Sequence, residues 1–390
     1  MSVRINIIHM GFLYSGGGER VVLEQTQRLR ERGHNVKLFS PIIRWQKSFP
    51  ERLKEVQPER IVPPFPLPFP FREASAMIAS AVLPFRSDEI ADCDVLLCHS
   101  QPSMWIGHRI KQQSGTPYVG YLHQLTTFIH KRPEAAGNWA TKGDFLMLDG
   151  LLGLFGRRVA RLLDRLCHRN ANRLLFNSNW TRSLFEKEYG LTGDVCYPGL
   201  NFMPKHDVAS VRLNRIITAS RHYPWKRIDL AFQVLKQLSE PVPEMVVAGE
   251  STPHTVMLRQ IAKNLGVADK VKFSGFVSDE QLSLLYSSSL AYVQPSIYEP
   301  FGLGPLEAQS CGTPAVVWGD AGVKETVLDG ETGFHAQPYD VTDFASKLRL
   351  ILTDKSRWEK MSMQARTWAS SFTWDAHIDL LEGVLDEERR

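Results

Sequence analysis

Short runs of β-branched and other apolar residues recur along this chain, and most are followed by a segment whose apolar residues return every three or four positions. That alternation constrains the fold more than any other feature. A strand followed by an amphipathic helix closes into a βα unit, and consecutive units build a parallel sheet. Ile5–Met10 reads as a strand, Glu19–Arg32 as a helix ending at Gly33, and Asn35–Ser40 as the next strand. Val95–His99, Tyr118–His123, Arg173–Asn177 and Val195–Pro198 continue the series. A second series starts at Arg215–Ala219 and runs through Met245–Ala248, Val271–Ser274, Ala291–Gln294 and Ala315–Trp318. At 390 residues the chain exceeds a typical single domain, and the stretch from Gly199 to Pro204 reads as a linker. The expectation is an α/β chain of two doubly wound halves, joined near residue 205.

Composition narrows the function classes. The proportions of 43% hydrophobic and 23% charged residues suit a globular chain with two buried cores. A net charge of +4 admits anionic ligands or lipid headgroups and does not point to nucleic acid. The cysteines, Cys93, Cys98, Cys167, Cys196 and Cys311, are odd in number and none stands in CxxC spacing. Neither a disulfide framework nor a zinc site is expected; reduced, buried thiols of a cytoplasmic protein fit better. The N-terminus lacks the long apolar stretch of a signal peptide. The most apolar window, Phe145 to Phe155, is interrupted by Asp149 and too short to span a bilayer.

The strongest local signal is Glu299-Pro300-Phe301-Gly302-Leu303-Gly304-Pro305-Leu306-Glu307, two carboxylates across a strand-to-helix loop. Glu299 is expected in the loop at the strand's carboxyl end and Glu307 about a turn and a half into the helix. Glycines permit close backbone approach, and free N–H groups at a helix start suit phosphates or sugar hydroxyls. Carboxylates accept from ribose and sugar hydroxyls. Isolated Glu pairs are usually solvated helix charges, but the spacer and the following Ala308-Gln309-Ser310-Cys311-Gly312-Thr313-Pro314 set this pair apart. Here the chain resembles glycosyltransferase family 4, which carries two such glutamates ahead of an EA…CGxPVV stretch.

The resemblance continues in the family's order. Ser220-Arg221-His222-Tyr223-Pro224-Trp225-Lys226 is similar to its basic G-R-x4-K element, with Ser220 in place of the usual glycine. Two cations at a strand-to-helix junction can neutralise a pyrophosphate and stabilise it as it leaves. Ser15-Gly16-Gly17-Gly18-Glu19 resembles the family's GGxE loop; it is not the G-x-G-x-x-G of a nicotinamide site. His123 follows a strand, as the family's active-site histidine does, with Gln124 beside it where an acidic residue or glycine is usual. Asn177-Ser178, Tyr197-Pro198-Gly199, Gly275-Phe276-Val277 and Gly322-Val323-Lys324-Glu325 match further family elements.

The resemblance implies a GT-B fold, two Rossmann-like domains facing a deep cleft. An N-terminal acceptor domain would span 1–204 and a nucleotide-sugar domain 205–372, with a C-terminal helix at about 373–390 returning to the first. It also implies retaining transfer by front-face attack, without a metal or other cofactor. Arg221, Lys226, Glu299 and His123 would be catalytic. Gly17, Gly18, Glu19, Phe276, Phe301, Gly302, Leu303 and Glu307 would bind the donor, with Glu307 on the ribose. The partners would be a GDP- or UDP-hexose and a glycan or lipid-linked acceptor. The opening is similar to mannosyltransferases of lipid-linked glycan assembly, which favours GDP-mannose. A sugar-nucleotide epimerase, a phosphorylase requiring pyridoxal phosphate and a non-catalytic nucleotide-sugar binder are the alternatives.

Two stretches stand apart. Residues 63–71, dense in Pro and Phe, read as an extended loop laid over the domain or as an apolar lip near an acceptor or membrane. Leu151 to Arg173 reads as a helix with an apolar stripe through Phe155, Val159, Leu162, Leu163 and Leu166, and with Arg158, Arg161, Arg165 and Arg169 on another face. The plainer account packs that stripe on the domain's own sheet. The other lays the helix on a lipid interface, as a cytoplasmic enzyme peripheral to the membrane would.

Overall fold

The structure is a computed structural model. It describes residues 2–63, 76, 79–80, 83–126, 129–130, 146–201 and 212–389, with side chains left out over 146–157. The chain divides into two compact units, Met1–Pro198 with Trp374–Arg390, and Gly199–Thr373. Most of the Pro/Phe stretch, residues 64–71, and the linker residues 202–204 lie outside the described residues.

Unit 1 runs β1 (Arg4–His9), α1 (Gly17–Glu31), β2 (Asn35–Ser40), α2 (Pro50–Val56), β3 (Glu59–Arg60), α3 (Ser87–Ala91), β4 (Val95–His99) and α4 (Ser100–Ser114). It continues with β5 (Tyr118–Leu122), α5 (Leu146–Arg169), β6 (Arg173–Phe176), α6 (Asn179–Tyr189) and β7 (Asp194–Val195). Among the described residues its strands form one parallel sheet in the order β3-β2-β1-β4-β5-β6-β7. Alternate residues feed the cores on the two faces: Ile5, Ile7 and Leu97 on one, Ile8, Leu96 and Cys98 on the other. This double burial is why the strands read as continuous apolar runs. The C-terminal helix Trp374–Glu388 belongs to this unit, burying Ile378, Leu381 and Leu385 in the first core.

Unit 2 runs β8 (Arg215–Ala219), α7 (Ile228–Lys236), β9 (Glu244–Ala248), α8 (Pro253–Leu265), β10 (Val271–Gly275) and α9 (Asp279–Ser287). Then come β11 (Ala291–Gln294), α10 (Leu303–Ser310), β12 (Ala315–Trp318), β13 (Gly333–Ala336), α11 (Val341–Thr353) and α12 (Lys355–Ala369). Its parallel sheet is ordered β10-β9-β8-β11-β12-β13. In both sheets the first strand lies between the second and fourth. Loops leaving the two central strands therefore diverge at their carboxyl ends, where doubly wound sheets bind ligands.

Three local expectations are corrected. The strand expected at Val195–Pro198 is only Asp194–Val195, because Pro198 has no N–H for a ladder. The helix expected over 151–173 spans Leu146–Arg169. The chain turns at Asn170–Asn172, where Lys111 Nζ donates to Asn170 O at 2.9 Å, and Arg173 opens β6.

The third correction concerns the face α5 buries. Ala160, Asp164, Cys167 and His168 point inward, while Val159, Leu162, Leu163 and Leu166 are exposed; the side chain of Phe155 lies outside the described residues. Asp164 is held on the buried face. Its buried carboxylate accepts from Gln101 Nε2 at 2.5 Å and from the Tyr189 hydroxyl. Burial pushes its pKa up, but these bonds, with His130 and His168 beside it, hold it below the usual carboxylate range. A buried carboxylate left without such partners would cost several kcal/mol, on the order of 3–5.

All five cysteines are buried free thiols. No helix among the described residues is long and apolar enough to cross a membrane.

Candidate active site

In unit 2 the neighbouring strands β8 and β11 deliver their loops to the same sheet edge. After β8, the chain passes through Arg221 and Tyr223 into a 3-10 turn at Pro224–Lys226. Ser220 N donates to Ala248 O at 2.9 Å. A Cβ on the next residue, Gly249, would come within 2.0 Å of Ser220 O, and its φ is +138°. The loop that carries both cations thus rests on a position only glycine can fill. Arg221 lies over the Tyr223 ring, 5.0 Å from its centroid, and Tyr223 stacks on Trp225 at 4.5 Å.

Lys226 Nζ donates to Glu299 Oε2 at 2.6 Å, the two side chains being 22% and 15% exposed. Gln294 Nε2 donates to the same oxygen at 3.0 Å, and Gln294 Oε1 accepts from Tyr292 OH at 2.7 Å. Glu299 is therefore positioned by the end of β11 and by the β8 loop together. Before it, Tyr298 holds φ at +52°, a conformation that costs about 1–3 kcal/mol. After it, Gly322 N donates to Glu299 O at 2.9 Å.

The glycines of this stretch answer to internal packing. A Cβ on Gly302 (φ +100°) would meet Val323 Cγ2 at 2.9 Å, and one on Gly304 would meet Tyr292 Oη at 2.3 Å. Gly302 is the N-cap of α10, so Leu303 is its first residue and Glu307 its fifth. Glu307 is half-buried and accepts from Tyr286 OH at 3.3 Å. Burial, with Glu307 beside it, holds the Tyr286 hydroxyl well above its ordinary pKa, so it stays a donor. Phe301 is buried with its ring 5.9 Å from that of Phe372, which leaves its backbone rather than its ring for a ligand. Phe276, just past β10, is exposed.

Unit 1 is built differently at the equivalent edge. His9 ends β1 and His99 ends β4, as register partners, and His123 follows β5. His99 Nδ1 and His123 Nε2 share a hydrogen bond at 3.1 Å. His123 N also donates to Ser100 Oγ at 3.2 Å, and Asn177 Nδ2 donates to His123 O at 3.0 Å. Burial pushes His9 down to about 3 and His123 to about 4, each helped by a neighbouring imidazole. His99 lies well below the ordinary value, through burial first and then its imidazole neighbours. These imidazoles are neutral near pH 7. A Cβ on Gly18 would stand 3.9 Å from His123 Cε1, so the glycine loop and His123 are side by side. Gly17 and Gly18 open α1 and remain partly or fully accessible, whereas Glu19 is buried, its carboxylate folded back over Gly16.

The structure thus pairs Lys226 with Glu299 in unit 2, with Arg221 on the same loop after β8, and sets Gly18 beside His123 in unit 1, with Gly17 in the same turn. Sequence reasoning missed Gln294, Tyr292 and Tyr286, which hold the carboxylates, and His99, which holds His123. Polar residues closing otherwise apolar strands, Gln294 on β11 and His99 on β4, were the available signal. Among the described residues no group of three or more His, Cys, Asp or Glu side chains has the arrangement of a metal site. Chemically, unit 2 offers two cations for a polyanion and carboxylates for hydroxyls.

Both halves of the chain are similar to known proteins. The family described as Glycosyltransferase Family 4 matches residues 15–202, and the one described as Glycosyl transferases group 1 matches residues 205–368. The D-inositol 3-phosphate glycosyltransferase of Streptomyces avermitilis is 31% identical over 322 residues, covering 76% of this chain and 67% of its own. The mannosylfructose-phosphate synthase of Agrobacterium fabrum is 25% identical over 393 residues, covering 94% and 85%. The HepE protein of Anabaena, solved with UDP-glucose, shares the fold at a TM-score of 0.75 and 20% identity, over 99% of this chain and 100% of its own. This chain therefore belongs to glycosyltransferase family 4, and it is a glycosyltransferase of the GT-B fold, with two Rossmann-like domains.

Proposed function

We propose that this enzyme transfers a hexose from a nucleoside diphosphate sugar to a glycan or lipid-linked acceptor, with retention of anomeric configuration and without a metal ion. The observation that carries the reading is the Lys226–Glu299 pair, held at 2.6 Å at the carboxyl ends of the two central strands of unit 2. Lys226 and Arg221 neutralise the donor diphosphate and the charge it gains on leaving. That charge differs most between ground and transition states, so binding it accelerates the reaction. Glu299 orients the donor sugar through its hydroxyls, Glu307 takes the ribose, and Gly302, Leu303, Phe301 and the exposed Phe276 complete the nucleotide side.

Within unit 1, substrate contacts are assigned to His123 and the Gly17–Gly18 loop. Because its pKa is pushed down to about 4, His123 orients by hydrogen bonding and does not carry the proton. The departing phosphate oxygen takes the acceptor's hydroxyl proton as the sugar–phosphate bond breaks and the new bond forms on the same face. GDP-mannose is the preferred donor, in keeping with the mannosyl product in one relative's name. A UDP-hexose is the second, in keeping with the UDP-glucose bound by HepE. Cytoplasmic action suits the five buried free thiols.

Thermal shift against GDP, UDP, ADP and their sugar conjugates, first without metal and then with Mg²⁺, tests the reading. Ligand at 100 times its dissociation constant stabilises the folded state by about 2.7 kcal/mol. A selective, metal-independent shift by GDP-mannose is expected. A shift only with Mg²⁺ would overturn metal independence, and no shift with any nucleotide would overturn the donor assignment.

A further inference from the structure

Helix α5 turns its most apolar face outward. Val159, Leu162, Leu163 and Leu166 are 41%, 68%, 47% and 44% exposed. Their spacing of i, i+3, i+4 and i+7 places them on one stripe. Arg158, Arg161, Arg165 and Arg169 are exposed along the adjoining face. The one carboxylate between residues 158 and 169, Asp164, is buried on the opposite side. Among the described residues none of these four arginines has a carboxylate partner. Elsewhere in unit 1 several arginines do: exposed Arg4 with Asp92 and Asp94, exposed Arg32 with Asp379 and Glu382, and half-buried Arg86 with Glu59 and Glu89. Among the described residues the positive charge at Arg158, Arg161, Arg165 and Arg169 has no paired carboxylate and runs beside an exposed aliphatic stripe.

We propose that this face of α5 docks unit 1 on an anionic phospholipid surface. A helix lying in a bilayer interface needs an aliphatic stripe for the acyl boundary and cations beside it for the headgroups. Guanidinium groups suit phosphate because they donate in a planar fork. Among the described residues the exposed stripe, Val159, Leu162, Leu163 and Leu166, is aliphatic and lacks the aromatic anchors that dominate protein interfaces. The docking surface is separate from the residues assigned to the donor, so it stands whichever nucleotide the enzyme uses.

Cosedimentation of the full chain with phosphatidylcholine vesicles, with and without phosphatidylglycerol, tests this at low and high salt. The protein is expected to sediment with the anionic vesicles and to be released progressively by salt. Each basic residue near an anionic surface is worth about a fivefold factor in binding, so Arg161→Glu with Arg165→Glu should weaken it at least about 25-fold. Leu162→Ser with Leu166→Ser should remove the part that resists salt. Both variants should keep the thermal midpoint and the nucleotide-induced shift of the parent, which separates loss of docking from loss of fold or of donor binding. Wild-type protein left in the supernatant at low salt, or double variants that sediment as well as the parent, would overturn the proposal. So would a concentration-dependent dimer abolished by the leucine substitutions without vesicle binding, which would give the stripe to a second copy. Selective capture of an acidic protein with vesicles ignored would give it to that partner instead.

Discussion

The two sheets share one strand order, yet the loops at their central strands differ in electrostatic character. In unit 2 the edge of β8 and β11 carries formal charge, with Lys226 bonded to Glu299 and Arg221 nearby. In unit 1 the edge of β1, β4 and β5 carries imidazoles that burial has neutralised. The contrast shows how one topology supplies two chemistries. Ion-paired side chains that keep partial contact with water retain their charge, while desolvated imidazoles lose theirs and keep only their hydrogen bonds. In general a cationic loop suits an anion, and an edge of neutral hydrogen-bonding groups suits a neutral ligand.

The largest expected effect breaks the charged edge. Lys226→Ala should lower turnover by about 10²–10³, the usual cost of deleting one group that stabilises developing charge, while the protein still unfolds cooperatively. Steady-state kinetics beside a thermal melt checks this, and near-wild-type turnover would remove Lys226 from the mechanism.

The next effect tests the neutral edge. The folded pKa values of His9, His123 and His377, about 3, 4 and 4, lie below the ordinary histidine value of 6.5. The unfolded chain therefore takes up protons first, so the stability is present above pH 6.5 and is lost as pH falls toward 4. Each such histidine should cost about 1 kcal/mol per pH unit in that window. Hydrogen exchange at pH 5 should show β1, β4 and β5 losing protection ahead of β8 and β11. His222, pushed to about 4 by burial, gives unit 2 a smaller share of the same effect. Simultaneous loss in both units would erase the contrast.

The smallest effect separates packing glycines from open ones. Gly18→Ala meets only ordinary contact with His123, at 3.9 Å, and alanine favours the first turn of α1. Stability should hold or rise by about 0.5–1 kcal/mol, while donor affinity falls if the glycine exists to let a ligand approach. Calorimetric binding beside a thermal melt reads both; unchanged affinity would make Gly18 a turn residue only.

Much of this architecture could be read from the residues. Strands such as Val95–His99, apolar up to its last residue, and Ala315–Trp318 read as apolar runs because both faces are covered, so their positions survive in a single sequence. The stretch from Glu299 to Glu307 was legible as a strand-to-helix loop because its Pro and Gly residues punctuate it. The supports of the site were not. Nothing local to Gln294 says that its amide will reach Glu299, and nothing local to Gly304 says that it makes room for the Tyr292 hydroxyl.

Hydrophobic spacing and turn residues, which act over a few positions, settle the βα alternation, the two halves and the motifs that mark the family. Tertiary structure decides what depends on neighbours distant in the chain. Lys226 meets Glu299, 73 positions away, because β8 pairs with β11. His9, His99 and His123 are neutral because packing strips their water. The leucines of α5 face outward while Asp164 faces inward, claimed by Gln101 and Tyr189 from elements distant in the chain, an arrangement the helix's own periodicity does not contain.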